Sequence, residues 1–277
     1  MQSPPAALLA LVGSNVVVTH RPGLGSGAWV VRASDGRSAV VTPSTAAATE
    51  ASRRAGEVSV GPVVLGATGG WVLTEHLNGP RLTPVELSRP EVLNDLAALL
   101  ARWHRTPSAS LGVQPARADL LASLRTYSAA APRLDARWRR AIAWAEQALA
   151  QLTGPSSRLV PCHLDVGANV IATPRGLRLI DFDFAALADP AQELGQVIWE
   201  AELSEASAVR LVEAYQGAGD TSDPEIVAAA ATWCVAVGIS WTVWALASDS
   251  PAMSRYARRS AERLASHWAR PPSLTCG

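Results

Sequence analysis

Two aspartates that each follow an apolar stretch constrain this chain of 277 residues more than any other feature. The first, Asp165, belongs to a His-Leu-Asp turn, and Asn169 comes four positions later. The second, Asp181, follows Leu179 and Ile180 after a gap of fifteen residues. We expect short strands to precede these residues and to bring the two carboxylates and the amide together in one cleft.

These residue types suit phosphoryl transfer. The reaction needs a carboxylate beside the attacking hydroxyl, and it needs oxygen ligands that hold Mg²⁺ on the phosphates of a nucleotide. Asp165 meets the first need, and Asn169 and Asp181 meet the second. The sequence therefore predicts a site that uses Mg²⁺ together with ATP or GTP.

These residues and those that follow them resemble the signature of the aminoglycoside phosphotransferase and choline kinase family. That signature reads roughly His-Gly-Asp-Leu-x-x-x-Asn, then Ile-Asp-Trp/Phe, then Gly-Asp-Pro and an acidic residue. Here the later part reads Ile-Asp-Phe at 180–182 and Ala-Asp-Pro at 188–190, with Glu193 as the acid. The resemblance is strong over residues 160–195. It implies an α+β, bilobal, protein-kinase-like fold with a small β-rich N-terminal lobe and a larger, mainly helical C-terminal lobe.

The resemblance also implies a role for each polar residue around the two aspartates. Asp165 orients the acceptor hydroxyl and takes its proton. His163 braces the loop by hydrogen bonding, and Asp189 and Glu193 lock the loop and the start of the next helix. Asp183 either faces the acceptor or caps the following turn.

The chain departs from the family pattern in ways that matter for the nucleotide. The spacing from Asp165 to Asn169 is four where five is usual, Leu164 replaces a glycine, and the final acid is a glutamate instead of an aspartate. The chain contains no lysine, since all 24 basic residues are arginine. The family's phosphate-binding lysine aligns with Thr42, so we expect Arg32 on the preceding strand to supply the charge. The alternative is that the metal and the glycine turn hold the phosphates without it.

We predict a nucleotide-binding lobe over residues 1–79, with a hinge at 74–79, and a helical lobe with the catalytic loop and acceptor site over 80–277. β-Rich runs at 16–19 and 28–32 flank a glycine-rich turn, which lets backbone N–H groups approach phosphates closely. The residues predicted to cover the nucleotide there are Gly23, Gly25, Ser26 and Gly27. In relatives the hinge backbone binds the adenine edge, which implies the Glu75 carbonyl and the Leu77 N–H here.

Helical spacing of apolar residues recurs along the chain. The predicted helices cover 44–56, 88–105, 117–128, 133–152, 191–216, 224–247 and 252–268. Residues 226–247 carry no charge and are long enough to cross a bilayer. However, the lead-in at 221–225 has the capping residue, proline and acid of a soluble helix start. We therefore expect a buried helix of the large lobe.

Composition narrows the partners and the compartment. A net charge of zero argues against a general nucleic-acid binder, because such binding depends on neutralising phosphates. The three cysteines form no metal-binding spacing, and the N-terminus lacks the basic region of a signal peptide. We expect a cytoplasmic protein without a membrane segment.

Acidic residues dominate the segment after the catalytic loop. From Asp181 to Glu225 there are eleven acids and one base, Arg210. Such a field would attract a polycation, so the leading hypothesis is a kinase that confers antibiotic resistance. Aminoglycosides and cationic cyclic peptides of the tuberactinomycin type, such as capreomycin and viomycin, fit. The predicted substrate contacts are Glu200, Glu202 and Glu205, and an amphipathic helix with a solvated acidic face explains them equally well.

Two other functions stay open. Trp199, Trp241 and Trp244 can form an aromatic cage for a quaternary ammonium, as a metabolic kinase of choline would require, although core packing is the favoured interpretation. A sugar or an amino alcohol would be further metabolic acceptors. The missing lysine and the short loop are also compatible with a nucleotide-binding pseudokinase, which the intact Asp165 and Asp181 oppose.

Overall fold

A five-stranded antiparallel sheet forms the first part of the chain. The computed structural model describes residues 3–21, 27–107, 116–130, 134–152, 159–219, 223–248 and 250–268. The strands are β1 (Val17–Arg21), β2 (Ala28–Arg32), β3 (Ser38–Pro43), β4 (Val64–Thr68) and β5 (Trp71–Glu75). They lie in the order β1-β2-β3-β5-β4. The helix α2 (Ala46–Glu57), which the sequence predicts, connects β3 to β4.

The helix α1 (Ala6–Val12) covers one face of this sheet and was not expected from the sequence. Trp29 and Val31 of β2 pair with Val41 and Ala39 of β3. These four side chains are buried together against Leu8 and Val12 of α1. Burial of these apolar side chains holds α1 on this face of the sheet.

Thr42 lies on the opposite face of the sheet. It pairs with Val72 and follows Val40, which pairs with Val30. Because side chains alternate between the two faces of a strand, these residues face away from α1. The position at which the family carries its lysine therefore faces away from the N-terminal helix.

The chain passes from the first lobe to the second along the strand β7 (Val170–Thr173). The Leu82 N–H donates to the Val170 carbonyl over 2.9 Å, and the Ala172 N–H donates to the Pro80 carbonyl over 3.0 Å. Gly79 has φ 158°, and a Cβ there would lie 1.8 Å from the Ala172 oxygen. Only glycine fits this approach. The boundary between lobes at 79 and 80 stays a prediction.

Helices make up most of the second lobe. They are α3 (Pro84–Leu87), α4 (Pro90–His104), α5 (Ala116–Ala130), α6 (Ala136–Leu152), α7 (Pro190–Glu200), α8 (Glu205–Gly219), α9 (Ile226–Leu246) and α10 (Pro251–Trp268). Two small antiparallel sheets accompany them. They pair β6 (Val160–Cys162) with β9 (Ala186–Ala188), and β7 (Val170–Thr173) with β8 (Gly176–Leu179).

One predicted helix is in fact two. The sequence predicts a continuous helix over 191–216, but α7 ends at Glu200 and α8 begins at Glu205. Glu202 between them has φ 52°, a left-handed conformation that ends a helix. The chain therefore turns between Glu200 and Glu205, and the acidic residues on either side do not share one helix face.

The apolar helix α9 is the core of the second lobe. By length and composition it is able to cross a membrane, but 72% of its most apolar stretch is buried inside the structure. It packs closely on α7 because both helices have glycine at the contact. A Cβ on Gly195 would lie 2.6 Å from the Ala230 oxygen, and a Cβ on Gly238 would lie 2.7 Å from the Trp199 ring.

Candidate active site

His163 joins the two aspartate segments. Its ring is fully buried. Nδ1 accepts a hydrogen bond from the Asp165 N–H at 3.2 Å, so Nε2 carries the proton and donates to the Ile180 carbonyl at 2.8 Å. Phe182 packs edge-on against the same ring, with centroids 4.7 Å apart. The histidine thus holds Asp165 beside Asp181, which is the bracing that the sequence predicts.

Asn169 reaches Asp165 despite the shortened loop. Its Nδ2 donates to the Asp165 carbonyl at 2.8 Å and to Oδ2 of the same residue at 2.9 Å. The Asn169 carbonyl in turn accepts from the Ile180 N–H at 3.0 Å. The amide Oδ1 is left as a ligand for a cation. The loss of one residue between 165 and 169 therefore leaves the predicted metal ligand beside the predicted base.

Two site residues adopt the left-handed backbone conformation. Leu164 has φ 61° and Asp181 has φ 67°. Each costs about 1–3 kcal/mol, and such strain is tolerated where the surroundings fix the conformation. At Leu164 burial offsets the strain, because its side chain packs with Val160 and Cys162 beneath the loop. This explains how a leucine replaces the family's usual glycine.

Negative charge accumulates in the cleft. Desolvation raises the pKa of Asp165, and the charge of Asp181 raises it further. Desolvation, followed by the charges of Asp181 and Asp165, raises the pKa of Asp183 to about 6. Converging carboxylates with an amide oxygen are the donors that Mg²⁺ prefers. The donor set fits a divalent cation held by Asn169 and Asp181.

A buried carboxylate on α7 holds the start of the catalytic loop. Glu193 is fully buried and accepts hydrogen bonds from the His163 N–H and, at 2.8 Å, from the Leu164 N–H. Its second oxygen lies 2.5 Å from His104 Nε2. Burial alone would raise the pKa of Glu193, but the hydrogen bond and charge of His104 lower it below its usual value of 4.5.

The rest of this α7 face holds the remainder of the loop. Gln196 Nε2 donates to the Leu164 carbonyl and, at 2.8 Å, to Glu200. Glu200 accepts from the Gly167 N–H at 2.6 Å. Burial raises the pKa of Glu200 to about 8, and the charge of Asp165 adds to the rise. Glu200, predicted as a substrate contact, thus binds the catalytic loop from beneath. Gln196 was not anticipated, although spacings of three and four on an apolar helix were a signal.

Further buried side chains hold Glu193 on the side away from the loop. His104, Cys162 and Glu193 form a buried cluster whose donor atoms lie within 4.8 Å of one another. His104 Nδ1 contacts the Tyr215 hydroxyl at 2.8 Å, so both of its ring nitrogens are engaged in hydrogen bonds. This cluster holds Glu193 in place and is explained without a metal ion. Asp189 caps α7 by accepting from the Ala191 N–H at 2.8 Å.

Several predicted nucleotide contacts lie in or near the first sheet. Gly23, Gly25 and Ser26 are outside the described residues, and Gly27, which follows them, has φ 76°. Arg32 is exposed at the end of β2 farther from the glycine turn and pairs with Ser38. Thr42 lies near the other end of β3, about 13 Å along the strand from Ser38 at 3.3 Å per residue.

The hinge residues adjoin the first lobe. The His76 N–H donates to the Ser38 carbonyl at 3.4 Å, and the Glu75 carboxylate accepts from the Val63 N–H at 3.1 Å. Glu75 ends β5, and Leu77 is in the segment that links the lobes. Adenine binding by the Glu75 carbonyl and the Leu77 N–H stays a prediction.

The remaining predicted substrate contacts are dispersed. Glu202 accepts from Arg259 at 2.5 Å. Glu205 begins α8 and lines a surface groove with Asn94 of α4 and Arg210. No residue of the catalytic loop lines that groove. Glu202 and Glu205 therefore gain no geometric support as neighbours of Asp165.

An aromatic row begins beside the carboxylates. Phe184 is 56% exposed and follows Asp183 directly. It contacts Trp241 with ring centroids 6.3 Å apart, and Trp241 contacts Trp244 at 5.5 Å. Both tryptophans are half-buried. Trp199, the third candidate for a cage, is instead buried under the Arg263 guanidinium, which lies 4.1 Å from its ring centroid.

Comparisons with known proteins agree with this geometry. A sequence model of the phosphotransferase enzyme family (APH) matches residues 14–229. A thiamine kinase of Salmonella paratyphi B is 36% identical over 149 residues, which are 52% of this chain and 49% of that protein. The chain thus spans about half the length of the curated relatives it matches.

Two solved structures show the same fold. A choline/ethanolamine kinase family protein from Mesorhizobium loti superimposes with a TM-score of 0.75 and 22% identity, covering 92% of this chain and 89% of that one. A macrolide 2′-phosphotransferase from Brachybacterium faecium gives a TM-score of 0.65 and 17% identity, with coverages of 92% and 95%. These likenesses confirm the bilobal, protein-kinase-like α+β fold. Because the family model covers most of the chain, including the catalytic loop, the chain belongs to the phosphotransferase enzyme family.

Proposed function

We propose that this protein transfers the γ-phosphoryl group of ATP to a hydroxyl of a small organic cation. The observation that carries this proposal is the hydrogen-bonded convergence of the Asp165 and Asp181 segments. The Asn169 amide donates to Asp165, and its carbonyl accepts from Ile180, the residue before Asp181. The family's kinases use ATP with a divalent metal, and the negative charge of the cleft suits that metal and a cationic acceptor.

Asp165 is the proposed base. Asn169 occupies Oδ2 at 2.9 Å, which leaves Oδ1 to accept the proton of the acceptor hydroxyl. As that proton leaves, the acceptor oxygen bonds to the γ-phosphorus and the bond to the bridging oxygen of ADP breaks. The transition state is loose, so positioning and charge neutralisation dominate the rate. Asn169 and Asp181 would hold Mg²⁺, which when bound neutralises phosphate charge.

The aromatic row supports a cationic acceptor of modest size. Phe184 follows Asp183 in the chain and contacts Trp241, which contacts Trp244, and cations bind aromatic faces favourably. A related sequence is named a thiamine kinase. Thiamine combines a permanent positive charge with a primary hydroxyl, as choline does. We therefore place thiamine and choline first among candidate acceptors.

A cationic antibiotic is the second candidate. A macrolide 2′-phosphotransferase shares this fold, which keeps an antibiotic acceptor open. The dispersion of Glu202 and Glu205 weakens the case for an aminoglycoside or a tuberactinomycin peptide, because the acidic residues expected to bind several positive charges do not converge. The same proposal includes a cytoplasmic location and leaves GTP as an alternative to ATP.

An acceptor panel tests the function. Purified protein is incubated with Mg²⁺ and ATP or GTP plus thiamine, choline, ethanolamine, an aminoglycoside or capreomycin, with a neutral sugar as the control. The expected result is a phosphoryl mass shift on a monocationic alcohol and none on the sugar. Transfer to the antibiotics alone would replace the first candidate by the second. Nucleotide binding without transfer to any acceptor would favour the pseudokinase.

A further inference from the structure

The missing lysine leaves the nucleotide phosphates without their usual cation. Thr42, at the lysine position, is uncharged. In lysine-bearing relatives a helix glutamate pairs with that lysine, and Glu50 of α2 is the candidate for it here. In this structure Glu50 is bound by Arg53 and, at 3.0 Å, by Arg54 of its own helix. The lysine of the usual ion pair is therefore missing, and the glutamate that would pair with it is bound by arginines of its own helix.

Arg81 brings a positive charge to the predicted catalytic loop from the segment that follows the hinge. It lies in the extended segment after the hinge and pairs with Ile171 of β7. Its Nη1 donates to the Ala168 carbonyl at 3.2 Å, directly before Asn169 in the chain. The guanidinium thus lies beside the backbone that leads into Asn169, a predicted metal ligand.

The Arg81 side chain has donors to spare. It is exposed, and within the described parts of the chain no carboxylate forms an ion pair with it. A guanidinium carries five N–H donors in a planar fork that matches phosphate oxygens. Only one of these donors is used in the bond to Ala168. The others are available to a bound anion.

Other arginines are placed less well. Arg32 is at the end of β2 remote from the glycine turn. Arg102 and Arg105 donate to the carbonyls of Ser59 and Ala218. Arg21 ends β1 next to the glycine turn, and its side chain is not among the described ones. Arg21 is therefore the rival that an experiment must separate from Arg81.

We propose that Arg81 binds the phosphates of the nucleotide and supplies the positive charge that a strand lysine supplies in relatives. The proposal rests on the proposed nucleotide-dependent function. It assigns Arg81 a phosphate-binding role, so its loss should weaken binding of a triphosphate and spare binding of a nucleoside.

Binding measurements test this without knowledge of the acceptor. MgATP and adenosine are titrated separately into wild type, Arg81→Met, Arg81→Lys and Arg21→Met by calorimetry. Arg105→Met is the matched control, since Arg105 is exposed and also donates to a backbone carbonyl, at 2.7 Å. A charged hydrogen bond corresponds to roughly 10- to 100-fold in affinity. We expect Arg81→Met to weaken MgATP binding by that factor and Arg81→Lys to weaken it less. Adenosine binding should change less than about twofold.

Each other outcome overturns the proposal. Unchanged MgATP affinity in Arg81→Met removes the role of Arg81 while leaving the proposed function in place. A selective loss of MgATP affinity in Arg21→Met instead assigns the phosphate-binding charge to Arg21 at the end of β1. Equal loss of MgATP and adenosine affinity in Arg81→Met, with an unchanged unfolding midpoint, would mean that Arg81 maintains the structure of the whole cleft. Wild type that binds no nucleotide overturns both the inference and the proposed function.

Discussion

Replacing Glu193 by alanine should destabilise the protein and disable the catalytic loop. The substitution leaves the N–H groups of His163 and Leu164 without their acceptor. It also leaves His104 without its carboxylate partner in a fully buried position. Unpaired buried donors cost about 1–3 kcal/mol each, so the loss of one acceptor for three N–H groups costs about 3–9 kcal/mol before overlap.

These costs overlap because they concern one side chain, so we expect a loss of about 5 kcal/mol in the free energy of unfolding. A chain of 277 residues gains unfolding entropy of about 0.6 kcal/mol per K, so the Tm should fall by about 8 °C. Glu193→Gln keeps an acceptor oxygen for the loop, but it loses the charge and turns an NH2 group towards His104 in place of the second oxygen. It should cost about 1–2 kcal/mol and lower the Tm by about 3 °C.

Urea unfolding and calorimetry of both variants, with wild type, check these values. The direction in which the free energy of unfolding changes with pH is a second test. Because the folded pKa of Glu193 is lowered, its contribution is present above the usual value of 4.5 and is lost as the pH falls. The gap between wild type and Glu193→Gln should therefore shrink below pH 4.5. Alanine and glutamine variants as stable as wild type would refute the role of this carboxylate.

Three further outcomes are expected. The folded pKa of Glu200 is raised to about 8, so its contribution to the free energy of unfolding is present below pH 4.5 and is lost as the pH rises towards 8. In that window the free energy of unfolding of wild type should fall by up to about 1.4 kcal/mol per pH unit relative to Glu200→Gln. Urea unfolding at several pH values measures this difference. Asp165→Asn should lower kcat by about 10²- to 10⁴-fold with MgATP affinity within about twofold, and retained turnover would exclude Asp165 as the base. Trp241→Ala should raise KM for a cationic acceptor by about 10-fold and leave KM for ATP unchanged in steady-state kinetics, whereas equal changes in both would assign Trp241 to packing.

The sequence was most informative where short-range spacing is chemically constrained. The motif placed Asp165, Asn169 and Asp181 in one site, and the hydrogen bonds among their segments agree with that placement, while their roles stay predictions. Most helices of the second lobe followed from apolar periodicity, because burial requires one apolar face, but α3 was missed and α7 and α8 were predicted as one helix. The strands β2 and β3 followed from β-branched runs.

The side chains whose positions the sequence did not predict are placed by contacts between distant parts of the chain. The count of acids after Asp181 did not distinguish Glu200, which faces the catalytic loop, from Glu202, which lies beyond the end of its helix. Spacing also gave no indication of α1, because nothing in Ala6–Val12 itself reveals the sheet face that it covers. The charge of Arg81 reaches the site through pairing with β7, ninety residues along the chain, which no local pattern encodes.

The close contact between α7 and α9 makes a remote and chemically inert position important for the geometry of the candidate site. Any side chain added at Gly238 would push on Trp199, one residue before Glu200 on the helix that carries the loop's hydrogen-bond acceptors. A displacement there would shift several acceptors at once, while leaving every polar residue of the cleft intact. Surveys that rank positions by distance from the reacting atoms would overlook Gly238, yet tolerance to substitution should be as low there as at the loop itself.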